Sequence, residues 1–224
     1  QIEHAEKLAT EKPCSLDKLN AAIDFEIFRG DLLDALGYRD RKDKGGNAPF
    51  DPVFLVRIIV LQKYFALSEE QTEFQIRDRF SFMRFLSLRP GDEVPDKNTI
   101  WDFKNQLGAD GVVRLFACFD RHLATLGLHG KEGVIVDASF VEVPRQRNSR
   151  GDNQAIKEGG VPEEWKEKPA KLRQKDTDAR WAKKNSETHY GYKNHIKCDA
   201  KTKLIRNYRA SHASLHDSQC FEEL

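Results

Sequence analysis

The sequence has a single methionine, Met83, and no long unbroken hydrophobic run. Its longest apolar stretch, Val53–Leu61, is interrupted by Arg57 and falls well short of the ~20 residues that a membrane-crossing helix needs. No basic segment followed by an apolar core opens the chain, so a secretory leader is not expected. The first residue is Gln1, and the start therefore reads as clipped, processed or part of a fragment. The four cysteines, Cys14, Cys118, Cys198 and Cys220, have no paired spacing and read as reduced thiols of a cytosolic protein rather than a disulfide framework.

Net charge is scarce as well: 37 Lys+Arg oppose 36 Asp+Glu, leaving +1. That balance argues against a polyanion partner until the charges are located. Residues 140–209 hold 18 basic and 10 acidic side chains, so a +8 segment is offset by an acidic remainder. A basic segment of this kind is the footprint expected of a nucleic-acid partner, against the plainer reading of a salt-bridged surface. With 39% apolar residues in 224 positions, a core can form and wholesale disorder is excluded.

The first ~130 residues carry helical signals. Asp51-Pro52 supplies an N-cap and an N1 proline for Val53–Phe65, apolar nearly all round and expected at the centre of a bundle. Ser68 and Gln71 form a capping box for a helix running to about Phe80. Phe74, Ile76, Phe80, Phe82, Phe85 and Leu86 are expected in the core. After the break at Arg89–Asp92, Asn98 or Thr99 should cap a short helix, Ile100–Leu107. A longer helix, Gly111–Leu126, should follow and end at Gly127. A helix-turn-helix reader fits this pattern, and so does a plain bundle. The segment after Ser68 is too acidic to approach phosphates. Lys97–Gln106, with Lys97, Asn98 and Lys104, is the better donor set.

The pattern changes at Gly130. Gly133–Val141 is β-branched and reads as a buried strand carrying one carboxylate, Asp137. An ionised side chain there needs a metal ion, an arginine or backbone donors, the arginine candidates being Arg145, Arg147 and Arg150. The polar stretch 142–187 reads as a partly helical insertion. Two strands follow, Thr188–Cys198 and Leu204–Ala210, the first placing Tyr190, Tyr192, Ile196 and Cys198 on one face and His189, Lys193, His195 and Lys197 on the other. His216-Asp217-Ser218 reads as the start of a helix. His212, His216 and Cys220, with Cys198, offer a zinc-like spacing that matches no closed pairing, and a loop-ordering role for His216 and Asp217 competes with it. Arg145, Arg147, Arg150, Lys183 and Lys184 are phosphate-compatible donors, and Trp181 among them could stack on a base.

Several blocks resemble one family. Asp51-Pro52-Val53, Leu67–Gln71, Gln75–Arg79 with Phe82–Leu86, and Val94-Pro95-Asp96 with Thr99-Ile100-Trp101 are similar to the helical N-terminal domain of bacterial insertion-sequence transposases. Val136–Ser139 with Pro144–Asn148, Gln174–Trp181, His189–His195 and His216–Gln219 are similar to the DDE, RNase H-like domain of the same proteins, of the insertion-sequence-five type. The resemblance implies an α+β chain: an all-α, helix-turn-helix-like DNA-binding domain over 1–129, then an RNase H-like α/β domain over 130–224. The latter would hold three strands, the start of a helix and the insertion at about 142–187. It further implies strand cleavage and strand transfer on double-stranded DNA, both terminal inverted repeats and target, in a homodimer associated with the bacterial nucleoid in the cytoplasm. Three carboxylates would hold two Mg²⁺ or Mn²⁺ ions, Asp137 being the first.

The family's second aspartate and third, glutamate-bearing motif do not occur before Leu224, and Asp217 only weakly substitutes for the second. The expectation is a catalytic core cut short that does not cleave DNA by itself, with a DNA-binding-only regulatory remnant as the alternative. Expected DNA contacts are Lys97, Asn98, Lys104, Arg145, Arg147, Arg150, Lys183, Lys184, Lys193 and Lys197.

Overall fold

The computed structural model describes residues 12–39, 49–128, 133–220 and 224. It divides into two compact units, Gln1–Leu126 and Gly127–Leu224. The expected boundary at 129/130 lies outside the described residues.

The first unit is helical. It contains α1 (Ser15–Ala22), a 3₁₀ turn (Phe25–Phe28), α2 (Arg29–Ala35), α3 (Pro52–Tyr64), α4 (Glu69–Asp78), α5 (Phe80–Leu86) and α6 (Lys97–Thr125). The start of α3 is fixed by Asp51, whose carboxylate accepts the Val53 and Phe54 N–H groups ahead of the N1 proline. Its Val53, Leu55, Val56, Ile58 and Leu61 are buried in one core with Phe25, Phe28, Ile76, Phe82, Phe85 and Phe103. That burial is the main force holding the unit together. Arg57 enters this core because two rings receive it: its guanidinium carbon lies 5.6 Å from the Phe25 centroid and 5.2 Å from that of Phe85. It also donates to the side chain of Asn20 and the carbonyl of Phe85.

Two helical expectations change. Phe74 and Phe80 are exposed, at 66% and 54%. The buried side of α4 is set by Thr72 and Ile76, four apart, and Phe74 lies two residues from each, on the other side of the helix. The expected pair Ile100–Leu107 and Gly111–Leu126 is present as two helical segments of α6 on either side of a non-helical residue, and the N-cap of the first is Asp96 rather than Asn98 or Thr99. The break between them is Gly108 (φ 58°, ψ −173°), a conformation essentially confined to glycine.

The second unit is built on an antiparallel sheet of four strands, one more than expected: β1 (Val134–Glu142), β2 (Arg180–Lys184), β3 (Glu187–Asp199) and β4 (Ile205–His212). β3 is its axis. Residues 191–199 pair with β1 on one side, while residues 187–191 pair with β2 and 192–198 with β4. Because β1 occupies one edge of β3, β2 and β4 lie end to end along the other. β2 falls within the stretch read as an insertion. Its alternation spans only five residues and is masked by three cationic side chains. The remaining helices, α7 (Arg150–Lys157), α8 (Glu163–Lys166) and α9 (Pro169–Leu172), precede it. They bury Ile156 and, completely, Trp165.

β1 is not a buried strand. Val134, Ile135 and Val141 are 58%, 40% and 47% exposed, and among the described residues β1 pairs with β3 alone. Its β-branched run records strand propensity, and the cover that such a run suggested is not supplied by the described residues. The helical start expected at His216–Ser218 is present in 3₁₀ form. Asp217–Cys220 forms a 3₁₀ helix, the last element among the described residues.

Candidate catalytic strand and nucleic-acid interface

Residues paired across an antiparallel sheet share a face. Asp137 pairs with Ile196, and Ile196 with Tyr208, so this face also presents Ser139, Asn194 and Tyr192. The reverse face carries Phe140, His189, Lys193, His195 and Lys197. The two candidate carboxylates are therefore not brought together. Asp137 stands on the first face, and Asp217 is bound to Lys193, which belongs to the second.

Asp137 is exposed, and one of its oxygens accepts the Ala138 N–H at 2.8 Å. Among the described residues it has no cationic partner, so the local pairing with Arg145, Arg147 or Arg150 does not form. Asp217 is the opposite case. The Lys193 ammonium donates to it at 2.8 Å and to the Leu215 carbonyl at 2.7 Å, and this hydrogen bond holds the Asp217 carboxyl below its ordinary pKa. The buried His195 stands 4.0 Å from Asp217 through Nδ1, and its Nε2 is 2.8 Å from the Ser211 hydroxyl. Burial depresses its pKa, opposed by Asp217.

The zinc-like spacing does not converge. His212 Nδ1 is 2.9 Å from the Ser214 hydroxyl, His216 Nδ1 is 2.8 Å from that of Ser218, and Cys220 is buried. Among the described residues, no three His, Cys, Asp or Glu side chains are grouped to hold a metal. His216 instead accepts the Ser218 N–H at 3.3 Å, ordering the loop. The same census bears on a two-metal centre. Hard divalent ions need several oxygen ligands each, and Asp137 alone does not satisfy them.

Of the expected DNA contacts, some are free and some are not. Arg145, Arg147, Arg150, Lys183 and Lys184 are exposed. Arg145 lies over the Trp181 ring, 5.5 Å from its centroid, and Trp181 is itself 44% exposed. Lys193 is taken by Asp217, and Lys197 donates to the Leu224 carbonyl at 2.9 Å. In the helical unit, Lys104 pairs with Glu69 at 2.5 Å and is only 29% exposed, holding the Glu69 carboxyl below its ordinary pKa. Lys97 is 3.8 Å from Glu70, and its N–H donates to Glu73. Asn98 is exposed. The acidic face of α4 and the basic start of α6 thus satisfy each other.

Sequence reasoning missed what the family-like blocks do to one another. In Gln174–Trp181, the Asp176 carboxylate accepts the Asp178 and Ala179 N–H groups and the Tyr192 hydroxyl. Burial would raise its pKa, but these hydrogen bonds hold it below the ordinary range. Arg180 donates to the carbonyls of Thr177 and Ile156. In His189–His195, Gly191 is required by space: a Cβ there would lie 2.3 Å from the Val141 carbonyl oxygen, and its φ is 143°. The only sequence signal was a charged or hydroxyl side chain alternating within a strand opposite a turn-forming aspartate.

Two family models match, one to each part of the chain. A transposase domain (DUF772) covers residues 3–106, and a transposase DDE domain covers residues 128–224. The chain belongs to the DDE-type insertion-sequence transposases. No solved structure matches it. The transposase is accordingly a DNA-acting protein of mixed helix and sheet, from a family that generally uses divalent metal ions. Among the described residues, no helix is long and apolar enough to cross a membrane.

Proposed function

We propose that this transposase is of the insertion-sequence-five type and that Asp137 is the first of its metal-binding carboxylates. The type rests on the resemblance of the sequence blocks, and the role of Asp137 on its place in β1 of the matched DDE domain, exposed and without a cationic partner among the described residues. Exposed and unpaired, it is open to a hard cation arriving from solvent. The reaction is strand cleavage and strand transfer at insertion-sequence ends, with Mg²⁺ or Mn²⁺ activating the attacking oxygen when bound. The chain's own contribution is to fix one carboxylate through the Ala138 N–H and the β1–β3 register.

Among the described residues, no group of three His, Cys, Asp or Glu side chains includes Asp137. Asp217 is held by Lys193, a residue of the reverse face, which counts against it as the second carboxylate. In this reading the 224-residue chain binds DNA without cutting it, which also describes a regulatory remnant. The helical unit, residues 1–129, is a DNA-binding domain, and the exposed Arg145, Arg147, Arg150, Lys183 and Lys184 add contacts from the DDE domain.

The test is incubation of the purified chain with terminal-repeat duplex and Mg²⁺ or Mn²⁺. Salt-dependent binding without nicking is expected. Metal-dependent nicking that disappears in Asp137→Ala would confirm the role of Asp137 and overturn the inactivity of the chain.

A further inference from the structure

Among the described residues, β1, β2 and β4 each pair with β3 alone, so each leaves one row of main-chain groups open, and the three rows are guarded differently. β2 carries Arg180, Lys183 and Lys184. β4 carries Arg206 and Arg209, and its register with β3 is broken at Lys197/Cys198. Cationic side chains and irregularities of this kind keep sheet edges from pairing with other chains. β1 has neither. It contains no lysine, arginine or proline, and its register with β3 is unbroken from Val134 to Glu142.

The ladder fixes which groups face the open edge. The Gly133 carbonyl accepts from Ala200 at 3.2 Å, and the Val143 N–H donates to Tyr190 at 3.1 Å. Odd-numbered residues of β1 thus turn N–H and C=O toward β3, and Val134, Val136, Ala138, Phe140 and Glu142 turn theirs outward. The Ala138 N–H is one of these outward groups, which is why the Asp137 side chain can accept it at 2.8 Å.

Reversed about Ala138, β1 is complementary to itself. An antiparallel second copy in that register sets Ile135 against Val141, Val136 against Phe140, Asp137 against Ser139 and Val134 against Glu142. All the outward groups then exchange hydrogen bonds, with the small Ala138 at the two-fold axis. Ile135 and Val141, 40% and 47% exposed, cover each other. No carboxylate lies directly opposite another. Asp137 gives up the Ala138 N–H and gains the Ser139 hydroxyl of the second copy. The two Asp137 side chains are diagonal neighbours about 7–8 Å apart, a repulsion that salt screens.

We propose that β1 is a self-pairing edge, through which two copies of this chain join in a two-fold antiparallel β1–β1 contact that makes one continuous sheet. The contact requires neither DNA nor a metal ion, so it stands apart from the reading of the chain as a DNA-binding protein.

The experiment is sedimentation velocity on the full chain without DNA, at about 0.15 M salt and from about 1 to 100 μM protein. The wild type should pass from monomer to dimer. Ala138→Pro removes an outward donor and no β1–β3 hydrogen bond. Ile135→Lys/Val141→Lys sets like charges opposite each other on both sides of the axis. Each should raise the dimer dissociation constant at least about 100-fold, with the emission of the buried Trp165 unchanged as the control for folding. Ile135→Glu/Val141→Glu should also be monomeric alone, and an equimolar mixture with the lysine pair should restore a dimer. A wild type that stays monomeric throughout overturns the proposal. So does a dimer that neither Ala138→Pro nor the lysine pair weakens, or a mixture that stays monomeric. Duplex binding by a monomeric wild type would leave the DNA reading standing while the β1 contact falls.

Discussion

The Tyr192 hydroxyl lies 2.7 Å from both carboxylate oxygens of Asp176 and so ties the turn before β2 to the middle of β3. The two residues are sixteen apart in sequence, and their contact anchors α7–α9 to the Asp137 face of the sheet. Burial, followed by the hydrogen bond to Asp176, raises the Tyr192 pKa, so the hydroxyl remains a donor throughout the physiological range. Tyr192→Phe removes a hydrogen bond to a charged group, which costs about 1.5–3 kcal/mol. Urea unfolding followed through Trp165, completely buried in this unit, should show a lower midpoint with an unchanged m-value.

Lys193 and Asp217 should behave as a structural latch. Lys193 is nearly buried and Asp217 is 43% exposed, so solvent screens part of their attraction. Asp217→Asn or Lys193→Met alone should destabilise the second unit by about 1–3 kcal/mol, because each leaves its partner uncompensated. The double variant should lose less than the sum, and a double-mutant cycle in urea measures that coupling. Additive losses would show that the two side chains act independently.

Legibility followed the range of the forces. The caps at Asp51 and Ser68, the central helix with Val53–Leu61, and strands β1, β3 and β4 are local signals and stand close to where the sequence puts them. The exposure of Phe74 and of β1 depends on what packs against them, which no window of sequence contains. The same holds at the site. Asp137 was visible as a carboxylate in a β-branched run, whereas the fate of Lys104, Lys193 and Lys197 was not. A basic residue looks the same in sequence whether it faces phosphate or a carboxylate 35 residues away, as Lys104 faces Glu69.

Gly191 gives a backbone prediction from the same strand. Its φ of 143° and the 2.3 Å approach of a Cβ to the Val141 carbonyl leave no room for alanine without parting β1 from β3. Gly191→Ala should therefore cost at least about 3 kcal/mol. Gly127→Ala, where a Cβ meets nothing within 4 Å but φ is 67°, should cost about 1 kcal/mol. Thermal midpoints of the two full-length variants give the ranking.

Acid should loosen the helical unit through Asp17. Its hydrogen-bonded pair with Arg84, at 2.8 Å, lowers its pKa from 3.8 to about 2. A folded-state pKa depressed in this way contributes stability that is fully present above the unfolded value and lost as pH falls through the folded one. The window is therefore pH 4 down to 2. The wild type should lose thermal stability across it, and Asp17→Asn, already without that contribution at pH 7, should show a shallower loss. Parallel curves for the two proteins would assign the acid sensitivity to other carboxylates.

Lys104 and Arg147 separate charge that holds the fold from charge offered to DNA. Lys104 is paired with Glu69 and touches Gln62, so Lys104→Ala should lower the thermal midpoint while leaving the salt slope of DNA binding unchanged. Arg147 is exposed, and among the described residues its contact is through its carbonyl, which accepts from Lys175 at 3.0 Å. Arg147→Ala retains that carbonyl, so its thermal midpoint should stay within about 0.5 kcal/mol of wild type while the salt slope falls by about 1. A flattened slope in Lys104→Ala would mean that the Glu69 pair opens on DNA and that the start of α6 reaches the phosphates after all.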